Sequence, residues 1–109
     1  FVCEPELEDR LRLSQIEQIQ LYRIVQEVLN NVCRHAEAKH VRVSVGAEKN
    51  DLVIEICDDG KGFDGESGKK TGHGLANIRS RANLIAAKIS WRNAQPGCRF
   101  EVRKPEAVR

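Results

Sequence analysis

The sequence predicts an α+β fold, a two-layer sandwich with helices on one face of a mixed, mostly antiparallel sheet. Three observations predict it. Helical periodicity and strand alternation follow one another as helix, hairpin, loop, helix, hairpin; no βαβ unit repeats; and six of the eight glycines (Gly60, Gly62, Gly65, Gly68, Gly72 and Gly74) fall in the one long loop. At 109 residues the chain has the length of one domain, residues 1–109.

The elements follow in order. Residues 1–13 hold only short apolar runs, Phe1 to Cys3 and then Leu11 and Leu13, which suit brief edge strands. From Ser14 onward Leu21, Ile24, Val25, Val28, Leu29 and Val32 recur at the spacing of an amphipathic helix, expected over about residues 15–35. Ser14 followed by Glu17 reads as the capping box that starts it. Val41, Val43 and Val45 alternate with polar residues, and after a turn at Lys49-Asn50-Asp51 the run Leu52 to Cys57 completes a hairpin. Asp58 to Gly74 has no periodicity and reads as a loop. A second helix is expected to begin near Leu75 and to carry Leu75, Ile78, Ala82, Leu84 and Ile85. Lys88 to Arg92 and Arg99 to Arg103 then alternate as strands around Gln95-Pro96-Gly97, and Pro105 ends the second hairpin.

Composition excludes several classes. The chain is 40% hydrophobic and 31% charged, and no apolar run approaches the roughly 20 residues of a membrane helix. A net charge of +2 argues against a dedicated nucleic-acid surface. Cys3, Cys33, Cys57 and Cys98 form no CxxC pair, so free thiols in a reducing cytoplasm are expected rather than a zinc or redox motif. The chain has no methionine and begins with Phe1, so it is expected to be a piece of a longer protein.

Polar residues at apolar positions mark a candidate site. Glu27, Asn31 and Arg34 align as a stripe on the shoulder of the first helix's apolar face; a solvated helix flank is the plainer explanation, weakest for Asn31, because asparagine is a poor helix former. Asp58 follows Leu52, Ile54 and Ile56 on the core side of its strand. A carboxylate buried there needs a donor from the protein or from a ligand, although a turn role for Asp58-Asp59-Gly60 is the alternative. Gly60-Lys61-Gly62 and Gly72-His73-Gly74, with a helix start immediately after and Lys61, Lys69 and Lys70 nearby, offer bare N–H groups to an anion. Gly60 to Gly65 also matches GxGxxG, but it opens no helix inside a βαβ unit and so is not a dinucleotide fingerprint.

Three segments together, Gln26 to Ala36, Asp58 to Phe63 and Gly72 to Arg81, resemble the N, G1 and G2 boxes of the GHKL (Bergerat-fold) ATP-binding domain, specifically that of bacterial sensor histidine kinases of the nitrate-sensor-like subfamily. The resemblance spans about residues 21–103. It implies a cytoplasmic domain that binds ATP with Mg²⁺ and passes the γ-phosphoryl group to a histidine on a separate dimerisation domain, from which it reaches a response regulator. It implies that Asp58 accepts a hydrogen bond from the adenine amino group, that Gly60 and Gly62 let the base approach, and that Asn31 holds Mg²⁺. Glu27 would be the catalytic acidic residue of the N box, orienting or activating the metal-bound water or attacking group and reaching the metal through water. Arg34 would face phosphate, His35 would hydrogen-bond at the helix end, and Gly72 and Gly74 would hinge a lid. Phe63, Thr71, His73 and Leu75 complete the implied nucleotide contacts. No phosphoacceptor histidine is recognisable, since His35, His40 and His73 all lie in or near the boxes. The isolated domain is expected to be a monomer and the full-length protein a homodimer. The alternatives are another GHKL ATPase, such as an anti-sigma-factor serine kinase, or a degenerate nucleotide-binding interaction module. Ala86-Ala87 and Gly97-Cys98-Arg99 depart from the family pattern where a glycine pair and a Gly-Thr are usual.

Overall fold

The structure, a computed structural model, describes residues 2–3, 7–32, 39–60, 73–93 and 97–108. Its elements are β1 (Val2–Cys3), α1 (Leu7–Arg10), α2 (Gln15–Asn31), β2 (Val41–Glu48), β3 (Asp51–Asp58), α3 (His73–Leu84), β4 (Lys88–Asn93) and β5 (Cys98–Lys104). The strands form one sheet in the order β1-β2-β3-β5-β4. Only the β1–β2 pair is parallel; β2–β3, β3–β5 and β4–β5 are antiparallel, which is the mixed, mostly antiparallel sheet expected. β3 is the central strand, paired with β2 on one edge and with β5, which enters between β3 and β4, on the other.

Alternation along β3 and β5 decides what packs. Leu52, Ile54 and Ile56 on β3 and Phe100 and Val102 on β5 point to the helix side, and they join Leu21, Ile24 and Val28 of α2 and Ile78 and Ala82 of α3 in one buried cluster. Ile24 is fully buried, as its place in the middle of the α2 stripe requires. Trp91 of β4 lies against Phe100 with ring centroids 5.5 Å apart, and the Arg79 guanidinium of α3 sits 5.2 Å from the Trp91 ring centroid, a cation–π contact that fastens α3 to the sheet.

The capping box forms as expected. Ser14 Oγ accepts from the Glu17 N–H at 3.1 Å while Glu17 Oε1 accepts from the Ser14 N–H at 2.8 Å. Glu17 also reaches Lys104 Nζ on β5 at 3.0 Å, and these bonds, the Ser14 backbone donor foremost, hold its carboxyl below the usual range. Ser14→Ala is therefore expected to cost about 1 kcal/mol. A thermal melt would show it as a fall of about 4 °C for a domain of this size; an unchanged melting temperature would mean that the cap carries no stability.

Three expectations need correction. Leu84 is 71% exposed rather than packed with Ile78, Ala82 and Ile85. At 100° per residue it points well away from those three, and the helix ends there in a turn with Ala86 at φ +55°. The second helix begins at His73, two residues earlier than expected, which puts Gly74 in its first turn. The amino-terminal stretch holds not only the edge strand β1 but also the short helix α1, whose Leu7 is buried, and Leu11 bridges to Val108. The expected continuation of α2 to His35 lies outside the described residues.

Candidate functional site

The site is built at one end of the sandwich. Lys104 on β5 pairs with Leu52 at the start of β3, and its bond to Glu17 brings the first turn of α2 to that end of the sheet. From Glu17 to Asn31 is about 21 Å of helix, and from Leu52 to Asp58 is about 20 Å of strand. Measured from that shared end, Asn31 lies about as far along α2 as Asp58 lies along β3. Glu27 and Asn31 are both half-buried beside the buried row Ile24, Val28 and Val32, which is the shoulder position their spacing predicts.

Among the described residues Asp58 is the one buried charged or polar residue, 8% exposed, and it closes the core-side row of β3 after Leu52, Ile54 and Ile56. Its Oδ1 accepts from the Gly60 N–H at 2.9 Å. That bond is the local turn considered as the alternative reading of Asp58-Asp59-Gly60, and it coexists with burial on the core side. A carboxylate facing this way can accept a further donor from a ligand, and one local N–H does not saturate its acceptor capacity.

The neighbouring carboxylate does a different job. Asp59 Oδ1 accepts from the main-chain N–H groups of Lys39 at 2.8 Å and His40 at 2.9 Å, and its Oδ2 lies 2.8 Å from His40 Nδ1. The Asp59 N–H in turn donates to the His40 carbonyl at 3.3 Å. The His40 main-chain and ring bonds first, then the Lys39 N–H, hold the Asp59 carboxyl down at about 2. Sequence reasoning missed this role because it depends on a pairing 19 and 20 residues away; the doubled acid Asp58-Asp59 was the only available signal.

On the other edge of β3, Asp58 pairs with Cys98 in register, and Gly97 before it has φ +94°. A methyl group on Gly97 would overlap the Asp58 carbonyl oxygen, lie 2.6 Å from its carbon and approach Asp59 Cα to 3.0 Å. Only glycine lets the chain entering β5 at residue 97 lie this close to the end of β3. Neither Cys57 nor Cys98 is in a disulfide.

Residues 16–108 match the model of the histidine kinase-, DNA gyrase B- and HSP90-like ATPases. The chain belongs to this family. Among its relatives, the signal transduction histidine-protein kinase/phosphatase DegS of Brevibacillus brevis is 36% identical over 72% of this chain, and the sensor histidine kinase LiaS of Bacillus subtilis is 36% identical over 78%. The ATP binding domain of PrrB from Mycobacterium tuberculosis superposes with a TM-score of 0.69 at 25% identity, over 83% of this chain and 69% of that one. The chain spans only 20% of the length of DegS and 24% of LiaS. The resemblance read from the three boxes, and the sandwich it implied, are borne out by these matches.

Within this ATPase domain the structure describes some of the expected site residues and not others. Glu27, Asn31, Asp58 and Gly60 are placed as above, and His73, Gly74 and Leu75 form the first turn of α3, whose leading N–H groups have no intrahelical acceptor. Arg34, His35, Gly62, Phe63, Thr71 and Gly72 lie outside the described residues, as do Lys61, Lys69 and Lys70. Among the described residues no cluster of three or more His, Cys, Asp or Glu forms a protein cage for a metal, and no helix is long and apolar enough to cross a membrane.

Proposed function

We propose that this chain is the catalytic domain of a sensor histidine kinase, binding ATP with Mg²⁺ and donating the γ-phosphoryl group to a histidine on a separate dimerisation domain. The observation that carries the reading is Asp58, a carboxylate buried on the core side of a central strand, in a chain of this ATPase family. Asp58 would accept from the adenine amino group, and Gly60 would let the ring approach the backbone. Gly62, Phe63, Thr71, Gly72, His73, Gly74 and Leu75 would surround the base and phosphates, with Arg34 and His35 on the phosphate side.

The donor set suits Mg²⁺. A hard cation prefers oxygen and is commonly held by one or two protein groups while phosphates and waters fill the rest of its shell, so a half-buried Asn31 amide with the Glu27 carboxylate one turn earlier fits better than a closed cage would. The metal, when bound, neutralises charge on the phosphates. The protein's own part is to bind and orient: Asp58 fixes the base, and Glu27 is positioned to accept a proton or to order water near the phosphoryl group. The acceptor histidine would come from the dimerisation domain, and the phosphoryl group would then pass to a response regulator. The domain would work in the cytoplasm.

Titration of the purified chain with ATP tests this directly. Asp58→Asn replaces an acceptor oxygen with a donor amide and is expected to weaken binding by roughly 1–3 kcal/mol, about 5- to 150-fold. Equal affinity for parent and variant would remove Asp58 from the base site.

A further inference from the structure

The geometry points to Asp59 as a positioning residue of the nucleotide site: its carboxylate ties the Lys39–His40 segment across the end of β3 and so fixes the backbone from which Asp58 projects. This rests on the reading of Asp58 as the base acceptor.

Asp58 is the last residue of β3, and its ladder partners are Val41 on β2 and Cys98 on β5, each at the end of its own strand. Strand ends open most readily, because no further pairs hold them. On the β5 side the end is closed by Gly97 lying against the Asp58 carbonyl. On the β2 side the pairing register stops at Val41, and what continues the closure is Asp59. One carboxylate oxygen takes both the Lys39 and His40 N–H groups, the other lies against the His40 ring, and the Asp59 main chain donates back to His40. The two carboxylates divide the work: one aims inward with Gly60 on its Oδ1, and the other turns outward and pins the strand that carries it. With its carboxylate committed to Lys39 and His40, Asp59 acts through Asp58. A site whose acceptor is preorganised spends less of its binding energy on ordering.

The test is a series at Asp59 on the purified chain, titrated with ADP at a temperature where circular dichroism shows every variant folded. Asp59→Ala removes all the acceptors and is expected to raise the ADP Kd about tenfold. Asp59→Asn keeps an oxygen for the Lys39 and His40 N–H groups and should restore affinity to within about twofold of the parent, with Asp59→Ser between the two. A role confined to stability would lower the melting temperature but leave Kd flat across the folded variants, and that flat series overturns the inference. Should Asp59→Ala fail to fold, Asp59→Ser decides: parental affinity overturns the proposal and a rise in Kd supports it. A parent chain that bound no ADP would overturn the nucleotide reading itself, an outcome distinct from a binding parent with an indifferent Asp59.

Discussion

Gly97→Ala is expected to lower the stability of the domain by about 3 kcal/mol and to weaken nucleotide binding in whatever fraction stays folded. Two effects add. An L-residue held at φ +94° carries roughly 1–3 kcal/mol of backbone strain. The new methyl group also has nowhere to go, because its neighbours at 2.6 and 3.0 Å are the main chain of Asp58 and Asp59, not the movable tip of a side chain. Relief requires the backbone at residue 97 to withdraw from β3, which breaks the Asp58–Cys98 pair. At about 4 °C per kcal/mol for a chain of this length, the melting temperature should fall by about 12 °C. A variant that melts with the parent would show that Gly97 does not lie against Asp58. The departure noted in the sequence, Gly97-Cys98-Arg99 where Gly-Thr is usual, thus keeps the glycine that the geometry requires.

What could be read from the sequence, and what could not, divides by the range of the interaction. The Ser14–Glu17 box needs residues three apart and a helix after them, so the pattern alone predicts both hydrogen bonds found. The inward aim of Asp58 needs only a count of two along a strand from Ile56, and its burial follows. Leu84 was legible too: the 100° step that put Ile24 in the core turns Leu84 outward, but an apolar residue near a helix end is easily counted with its neighbours. The position of β5 between β3 and β4 was not legible, because a hairpin signal shows that two strands pair but not which of them docks on the existing sheet. The same gap hid Asp59 and Gly97. Each acts on a segment brought alongside only by the register of the sheet, Lys39 and His40 on one edge of β3 and the Asp58 main chain on the other, and nothing local to either residue announces it. The resemblance to the ATPase boxes reached further than the physics of spacing, since it joined Asn31 to Asp58 across 26 intervening residues, which no local pattern connects.

Asn31→Ala is expected to reduce phosphotransfer at least about 100-fold, a loss of about 2.7 kcal/mol from the transition state, while ADP binding in the absence of metal stays near the parental value. The separation of the two readouts follows from the geometry. Asn31 is one turn beyond Glu27 on α2, half-buried on the shoulder of the helix, whereas the acceptor proposed for the base is on β3. Removing the amide takes away an oxygen for the cation and leaves Asp58, Gly60, Asp59 and Gly97 as they were. The helix itself should survive, because alanine is the better helix former and Asn31 is the last residue of α2. If Asn31→Ala instead lost metal-free ADP binding and phosphotransfer to the same extent, Asn31 would belong to the pocket wall and the cation would need another ligand. If phosphotransfer persisted undiminished, the stripe of Glu27 and Asn31 would be the ordinary polar flank of a helix. The measurement needs a separately supplied dimerisation domain as acceptor, and the ADP titration on the same preparation confirms that the variant remains folded.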